Sequence, residues 1–453
     1  MDKQHENPLG VEPINHLMAR FAIPSIIAML VSALYNMVDQ FFIGHSVGMQ
    51  GNAATNVAFP LTITCTAVSL LFGIGGAANF NLSMGRKKPE EAKHFIGNAI
   101  FLMLSFGITL CLLVFLFLDP LLKLFGATAD ILTYSRTYTS ITAFGFPFVI
   151  LATGGSNLVR ADGSPNFSMA CTLIGCLINL VLDPLFIFGL GMGVKGAALA
   201  TIISQAVSCG WVLAFLTGKK TFLRIKKEYL KPVPSIVFPC LALGLSTFVM
   251  QSSESVISVC FNSSLLKYGG DLAVGAMTIL TSTMQFAMLP LQGIGQGAQP
   301  IMSYNYGARN IDRMKKTFKL HLVISLIYST LFWLFVQLFP ATFAGIFSSD
   351  PELVSFTAGA LRIYCGAMFL FGIQLACQMT FVAIGYAVCS IIVAVVRKFV
   401  LLLPLIFIVP RFVSNKTMGV YMAEPIADAI AVTFTAILFS IQFKKALKKL
   451  DKA

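Results

Sequence analysis

Five carboxylates sit inside long apolar stretches of this chain: Asp39, Asp183, Glu254, Glu424 and Asp428. An aspartate at the centre of a membrane-spanning helix costs about 2.5–3.5 kcal/mol on insertion scales, so each asks for a reason. Asp39 follows Tyr35 by four residues, with Asn36 on the same turn, and Asp183 follows Asn179 by four. On a helix that spacing puts each pair on one face. Tyr138, Asn157 and Thr201 lie on neighbouring stretches and add hydroxyl and amide groups that could hydrogen-bond a buried carboxyl. Two such carboxyls close together share a proton, which is the chemistry of proton coupling. Structural readings stand beside this one. An aspartate near a span end can face the interface or cap a helix. Asp183 precedes Pro184 and could satisfy a kinked backbone, and Pro425 bends the stretch that carries Glu424 and Asp428.

Other chemistries lack their residues. The five histidines (His5, His16, His45, His94 and His321) are scattered, and no cysteine or histidine spacing suggests a metal site. The glycine-rich stretch at 73–77 has no strand before it and no Gly-Lys-Ser/Thr after it, so it is no nucleotide loop. No enzyme, cofactor or metal is expected. The ten cysteines fall almost wholly within apolar stretches and read as small packing residues.

The elements that must hold these residues are membrane spans. The chain is 57% hydrophobic and 11% charged, with a mean hydropathy of +0.81. A soluble domain carries about 25% charged residues, which excludes that class. About twelve stretches between residues 17 and 441 are long enough to cross a bilayer. Most Lys and Arg then fall on one side, including Arg86–Lys88, Arg160, Lys219, Lys220, Arg313–Lys319, Arg397, Lys398 and Lys444–Lys452. The positive-inside rule puts that side and both termini in the cytoplasm. It also accounts for the net charge of +13 without nucleic acid. Asp2, Glu6 and Glu12 precede a first span too long for a signal segment. Residues 1–217 and 236–453 are expected to be two six-helix lobes, joined by a cytoplasmic linker at 218–235. In that linker Phe222, Leu223, Ile225 and Tyr229 leave a short interfacial helix open, although a plain basic linker is favoured.

The two halves repeat. Gly73, Ile74, Gly75, Ala78 and Ser83 return 220 positions later as Gly293, Ile294, Gly295, Ala298 and Ser303. At an offset of 215, Pro24 falls on Pro239, Asn36 on Gln251 and Asp39 on Glu254; further on, Gly163 falls on Gly385, Thr201 on Glu424 and Gln205 on Asp428. Six spans per half make the repeats parallel, related by an axis along the membrane normal, and such duplication is the usual build of a secondary transporter. The expected fold is therefore all-α, with about twelve transmembrane helices in two lobes related by a pseudo-two-fold. The small-residue stretches read as surfaces for close helix packing. Asp183 falls near Leu405 and has no acidic twin, so the scaffold is symmetric and the chemistry is not.

The segments NMVDQFFIG (36–44), RADGSP (160–165), LDPLFIFG (182–189) and GVKGAALAT (193–201) resemble the multidrug and toxic compound extrusion (MATE) family. LPLQGIGQGAQPIMSYNYGA (289–308) resembles its MepA branch. The resemblance covers roughly residues 15–440. It implies an ion-driven antiporter that exports drugs and dyes, often cationic, through a V-shaped pair of lobes. Asp39 and Asp183 match the family's coupling acids, Asn157, Asn179, Thr201 and Tyr138 match its associated polar positions, and Pro24 matches a proline implicated in helix bending. Glu254 matches an acid that some members use on span seven. Sodium-coupled members pair it with an aspartate on span ten; here Gln374, Cys377 and Gln378 stand instead, which favours coupling in the N-terminal lobe. The expectation is a monomeric, multi-pass efflux antiporter of the inner (cytoplasmic) membrane, contributing to antibiotic resistance. It would work in exchange for protons or sodium, with Tyr35, Asn36, Asp39, Asp183, Gln251, Glu254, Glu424 and Asp428 as substrate contacts. The alternative is a lipid-linked glycan flippase of the same superfamily. Those tend to present basic residues in the cavity, and only Arg362 and the Arg397–Lys398 pair are mid-span cations here.

Overall fold

A backbone surrounded by lipid must satisfy its own hydrogen bonds, and this chain does so with helices; among the described residues there is no strand. The structure, a computed structural model, describes residues 7–47, 49–218, 221 and 224–452. Asp2, Lys3, His5 and Glu6, and Lys219, Lys220, Phe222 and Leu223 of the linker, lie outside the described residues. The first half comprises α1 (Ile14–Val47), α2 (Met49–Gly85), α3 (Pro89–Leu116), a bent α4 (Ala129–Phe144 with Phe146–Ala161), α5 (Pro165–Pro184) and α6 (Val194–Thr217). The second half opens with one helical run, Pro234–Gly307, whose backbone leaves the helix at Gly270 (φ 64°). It is therefore two spans, α7 (234–269) and α8 (271–307). There follow α9 (Ile311–Leu338), a bent α10 (Pro351–Tyr364 with Met368–Ala383), α11 (Ala387–Val395, continuing through a π turn) and α12 (Lys416–Lys452). The result is the two six-helix lobes that the repeat predicts. Among the described residues of the linker, Lys227–Leu230 form a 3-10 turn. Asn98 of α3 pins it, donating to the carbonyls of Tyr229 (3.0 Å) and Lys231 (2.9 Å) and accepting from the Val233 N–H (2.8 Å).

The small-residue repeats pack the halves against each other. A side chain at Gly85 would strike the backbone of Tyr304 and Gly307, and one at Gly307 would strike Leu82 and Gly85. Likewise Gly75 lies against Cys240 and Gly244 against Leu71, while Gly297 lies against Ala22 and Gly293 against Ile26. Only glycine allows two backbones this close.

These contacts correct the register of the repeat. Leu82 and Gly85 correspond to Tyr304 and Gly307, and Leu71 and Gly75 to Gly293 and Gly297, an offset of 222 rather than 220. Their partners Ala22 and Ile26 correspond to Cys240 and Gly244, an offset of 218 rather than 215. Glu254 is thus the twin of Asn36, not of Asp39. Burial agrees: Asn36 and Glu254 are exposed, whereas Asp39 and its twin Ile257 are buried. Letter matching slides easily along a run of glycines, while packing fixes which face each glycine presents.

Candidate functional site

Each half carries a π turn on its fifth span, at a different point along it. Pro184 supplies no N–H at the end of α5, and the backbone widens into a π turn, Leu185–Gly189, whose Leu190 N–H reaches back to the Leu185 carbonyl (2.9 Å). In α11 the π turn is Val396–Leu402. Such turns re-aim side chains and recur at functional sites. Asp183 stands just before the first, and Arg397 and Lys398 stand inside the second.

In the first half Asp183 (1% exposed) and Asp39 of α1 (7% exposed) lie within electrostatic reach of each other, both buried. Asn179, fully buried one turn before Asp183, closes the other side. With its amide oriented to satisfy both neighbours, it donates to Asp183 Oδ2 and accepts from the Thr201 N–H (3.2 Å). The Thr201 hydroxyl is turned back onto the Ala197 carbonyl (2.9 Å). Tyr35 and Tyr138 lie within electrostatic reach of both carboxyls. Asp39 Oδ1 and Asp183 Oδ1 are buried without a hydrogen-bond partner. Asn36 is exposed on the adjacent face of α1. Helices α1, α4, α5 and α6 therefore bring Tyr35, Asp39, Tyr138, Asn179, Asp183 and Thr201 together.

Asn157 is not joined to them. Its amide oxygen accepts from Arg160 Nη1 (2.9 Å) and its nitrogen donates to the Thr153 carbonyl (3.2 Å). The charge count put Arg160 with the inner-side cations, but it is not a solvated loop residue. It ends α4 only 7% exposed, and the same Nη1 donates to Gln296 Oε1 of the other half (2.8 Å). Among the described residues it has no ion-pair partner within reach.

In the second half the acids already have cations. Arg397 Nε donates to Asp428 Oδ1 at 2.7 Å, its Nη2 lies 3.7 Å from Glu424 Oε1, and its guanidinium covers the Phe371 ring at 4.9 Å. Lys398 Nζ lies 2.7 Å from Glu254 Oε1. Arg397, Lys398, Glu424 and Asp428 are all nine-tenths buried, while the Glu254 side chain is half exposed. This overturns the placement of Arg397 and Lys398 among the inner anchoring cations. The signal was present, since both lie in the middle of an apolar stretch. Gln251 is half-buried one turn from Glu254. Pro24 interrupts α1, and the next residue's hydroxyl, Ser25, bonds back to the Phe21 carbonyl (2.7 Å). No group of three or more metal-ligating residues is assembled among the described residues.

The family model MatE matches this chain twice, over residues 24–185 and 246–408. A Multidrug export protein MepA of Staphylococcus haemolyticus is 27% identical over 436 residues, covering 96% of this chain and 95% of that protein. One from Staphylococcus aureus is 25% identical over 402 residues, covering 87% of each. Among solved structures, a MOP superfamily transporter from Pyrococcus furiosus superposes with a TM-score of 0.91 at 23% identity, over 98% of both chains. A multidrug resistance MATE transporter in an outward-facing conformation does so with the same score and coverage. At that identity the structures speak for the fold alone.

Proposed function

Because the chain belongs to the MatE family, we propose that it is a secondary active multidrug efflux antiporter, exporting amphipathic, often cationic compounds in exchange for protons. The observation that carries this is the Asp39–Asp183 contact. Two buried carboxyl groups within electrostatic reach of each other, among tyrosines and an amide, favour sharing one proton, so the pair can gain or lose charge in a single event. Ionisation would place negative charge beside Tyr35 and the exposed Asn36, where an amphipathic cation can be held by carboxylate and aromatic ring together. Protonation would cancel that charge and release the cation. Pro24 gives α1 a flexible point through which the change can move the helix. Asn157 stands apart as a link to the seam. The MepA relatives, named as multidrug export proteins, support the substrate class.

In this reading residues 1–217 and 236–453 are the lobes, 218–235 is the linker, both termini are cytoplasmic, and the monomer in the cell membrane is the working unit. The second lobe is assigned no coupling role, since its acids are held by Arg397 and Lys398; Glu254, half exposed, and its neighbour Gln251 remain substrate contacts. A glycan flippase would need those two cations free to meet an anionic lipid. Proteoliposomes given a pH gradient or a sodium gradient separately test the proposal. The pH gradient should drive accumulation of a fluorescent cation and the sodium gradient should not, and Asp39→Asn should abolish it. Full gradient-driven transport by Asp39→Asn would refute the assignment.

A further inference from the structure

A groove of about 580 Å³ opens where the start of α1 meets the start of α9. Arg313, Lys316 and Lys319 bring three positive charges to it, and Ile14, Leu320 and Val323 give it an apolar floor. Among the described residues no carboxylate lines it. Glu12, just before α1, is turned onto Arg20 and His16 instead. The Arg313 guanidinium is fixed in place: Nη2 donates to the carbonyls of Leu9 (3.0 Å) and Glu12 (2.7 Å), and Nε donates to Asn305 Oδ1 (3.0 Å). Neither Lys316 nor Lys319 is ion-paired among the described residues.

Below the cations α9 presents an apolar stripe. Val323, Ile327, Leu331 and Leu334 follow one another at helical spacing and are 42%, 56%, 61% and 44% exposed. The helix from Val323 to Leu334 carries that stripe about 16 Å along the span. Three cations at the head of a lipid-facing stripe match the build of an anionic phospholipid.

We propose that this groove binds one anionic phospholipid, its phosphate between Arg313, Lys316 and Lys319 and an acyl chain along Val323–Leu334. The walls come from both halves: Ile14 belongs to α1, the basic residues belong to α9, and Asn305 of α8 orients Arg313. A lipid seated there favours the arrangement in which these helix ends lie together. Neither ion coupling nor drug export is needed for this inference.

Native mass spectrometry of the full chain in neutral detergent tests it. Dioleoyl phosphatidylglycerol should be retained about tenfold more than dioleoyl phosphatidylcholine at one site. Lys316→Gln with Lys319→Gln should remove that preference, while Lys444→Gln with Lys445→Gln, on another basic helix end, should leave it intact. Glycerol phosphate at the same concentration should displace none of the retained lipid. Equal retention of the two lipids, an unchanged preference in the Lys316/Lys319 variant, or displacement by glycerol phosphate would each overturn the proposal, the last by making it a site for soluble anions.

Discussion

Arg397 is held by more than its nearest partner. Its 2.7 Å bond to Asp428 and its 3.7 Å approach to Glu424 lie where water does not reach. Breaking a buried ion pair by removing one side typically costs about 3–5 kcal/mol, because the other charge stays behind. Arg397→Met should therefore lower the thermal midpoint of the purified protein clearly, and adding Asp428→Leu should restore part of the loss. An Arg397→Met protein as stable as the wild type would show that the triad is not the bond network described. At the carboxyl pair the expectation is kinetic. Asp39→Asn and Asp183→Asn should each abolish proton-driven efflux, and the double variant should be no worse than either, since groups acting as one unit are not additive. Single-variant losses that multiplied in the double would mean that the two acids act separately.

Among the elements, the helices of the seam are the ones that tolerate least. A methyl group at Gly244 would enter the backbone of Leu71, with nowhere for either helix to move, whereas one at Gly359 on α10 meets open space. Gly244→Ala should sharply reduce the yield of folded protein. Gly359→Ala should be neutral or stabilise by up to about 1 kcal/mol through helix propensity. Size-exclusion profiles and melting curves of the two variants check this, and similar behaviour of both would contradict the packing. The π turns are the other decisive elements. Asp183 stands just before the one on α5, and Arg397 and Lys398 stand inside the one on α11.

For the whole molecule the question is how the site of one half speaks to the other. Arg160 bonds Asn157 and Gln296 through a single nitrogen, so one buried guanidinium spans the seam. No carboxylate pairs with it among the described residues, which leaves the closed seam less stable than it could be. Gln296→Glu would place a charge against it. The variant should melt higher and transport more slowly, because alternating access has to part these helices. Gln296→Ala should melt lower. Melting curves together with initial rates in proteoliposomes decide the matter, and a Gln296→Glu protein with unchanged melting and unchanged rate would remove the clasp from the mechanism.

Much of this was legible in the sequence. Lipid leaves a backbone no choice but helix, so apolar length alone gave twelve spans, and duplication gave two lobes. Asp39, Asp183 and Asn179 were visible because an acid in an apolar helix is costly, and a four-residue spacing puts its neighbours on the same face. What a linear string does not hold is which face meets which. Glu254 looked like the twin of Asp39 until glycine contacts moved it one turn, onto Asn36. Arg397 and Lys398 were counted with the inner-side cations although they also read as mid-span, and Arg160 was counted with them, because counting charges by segment ignores depth. Only the packed structure shows those three cations buried, two of them neutralising the acids of the second lobe. The energy of a charge depends on what stands a few ångströms away, and in this fold those neighbours are 31, 136 and 144 residues distant in the chain.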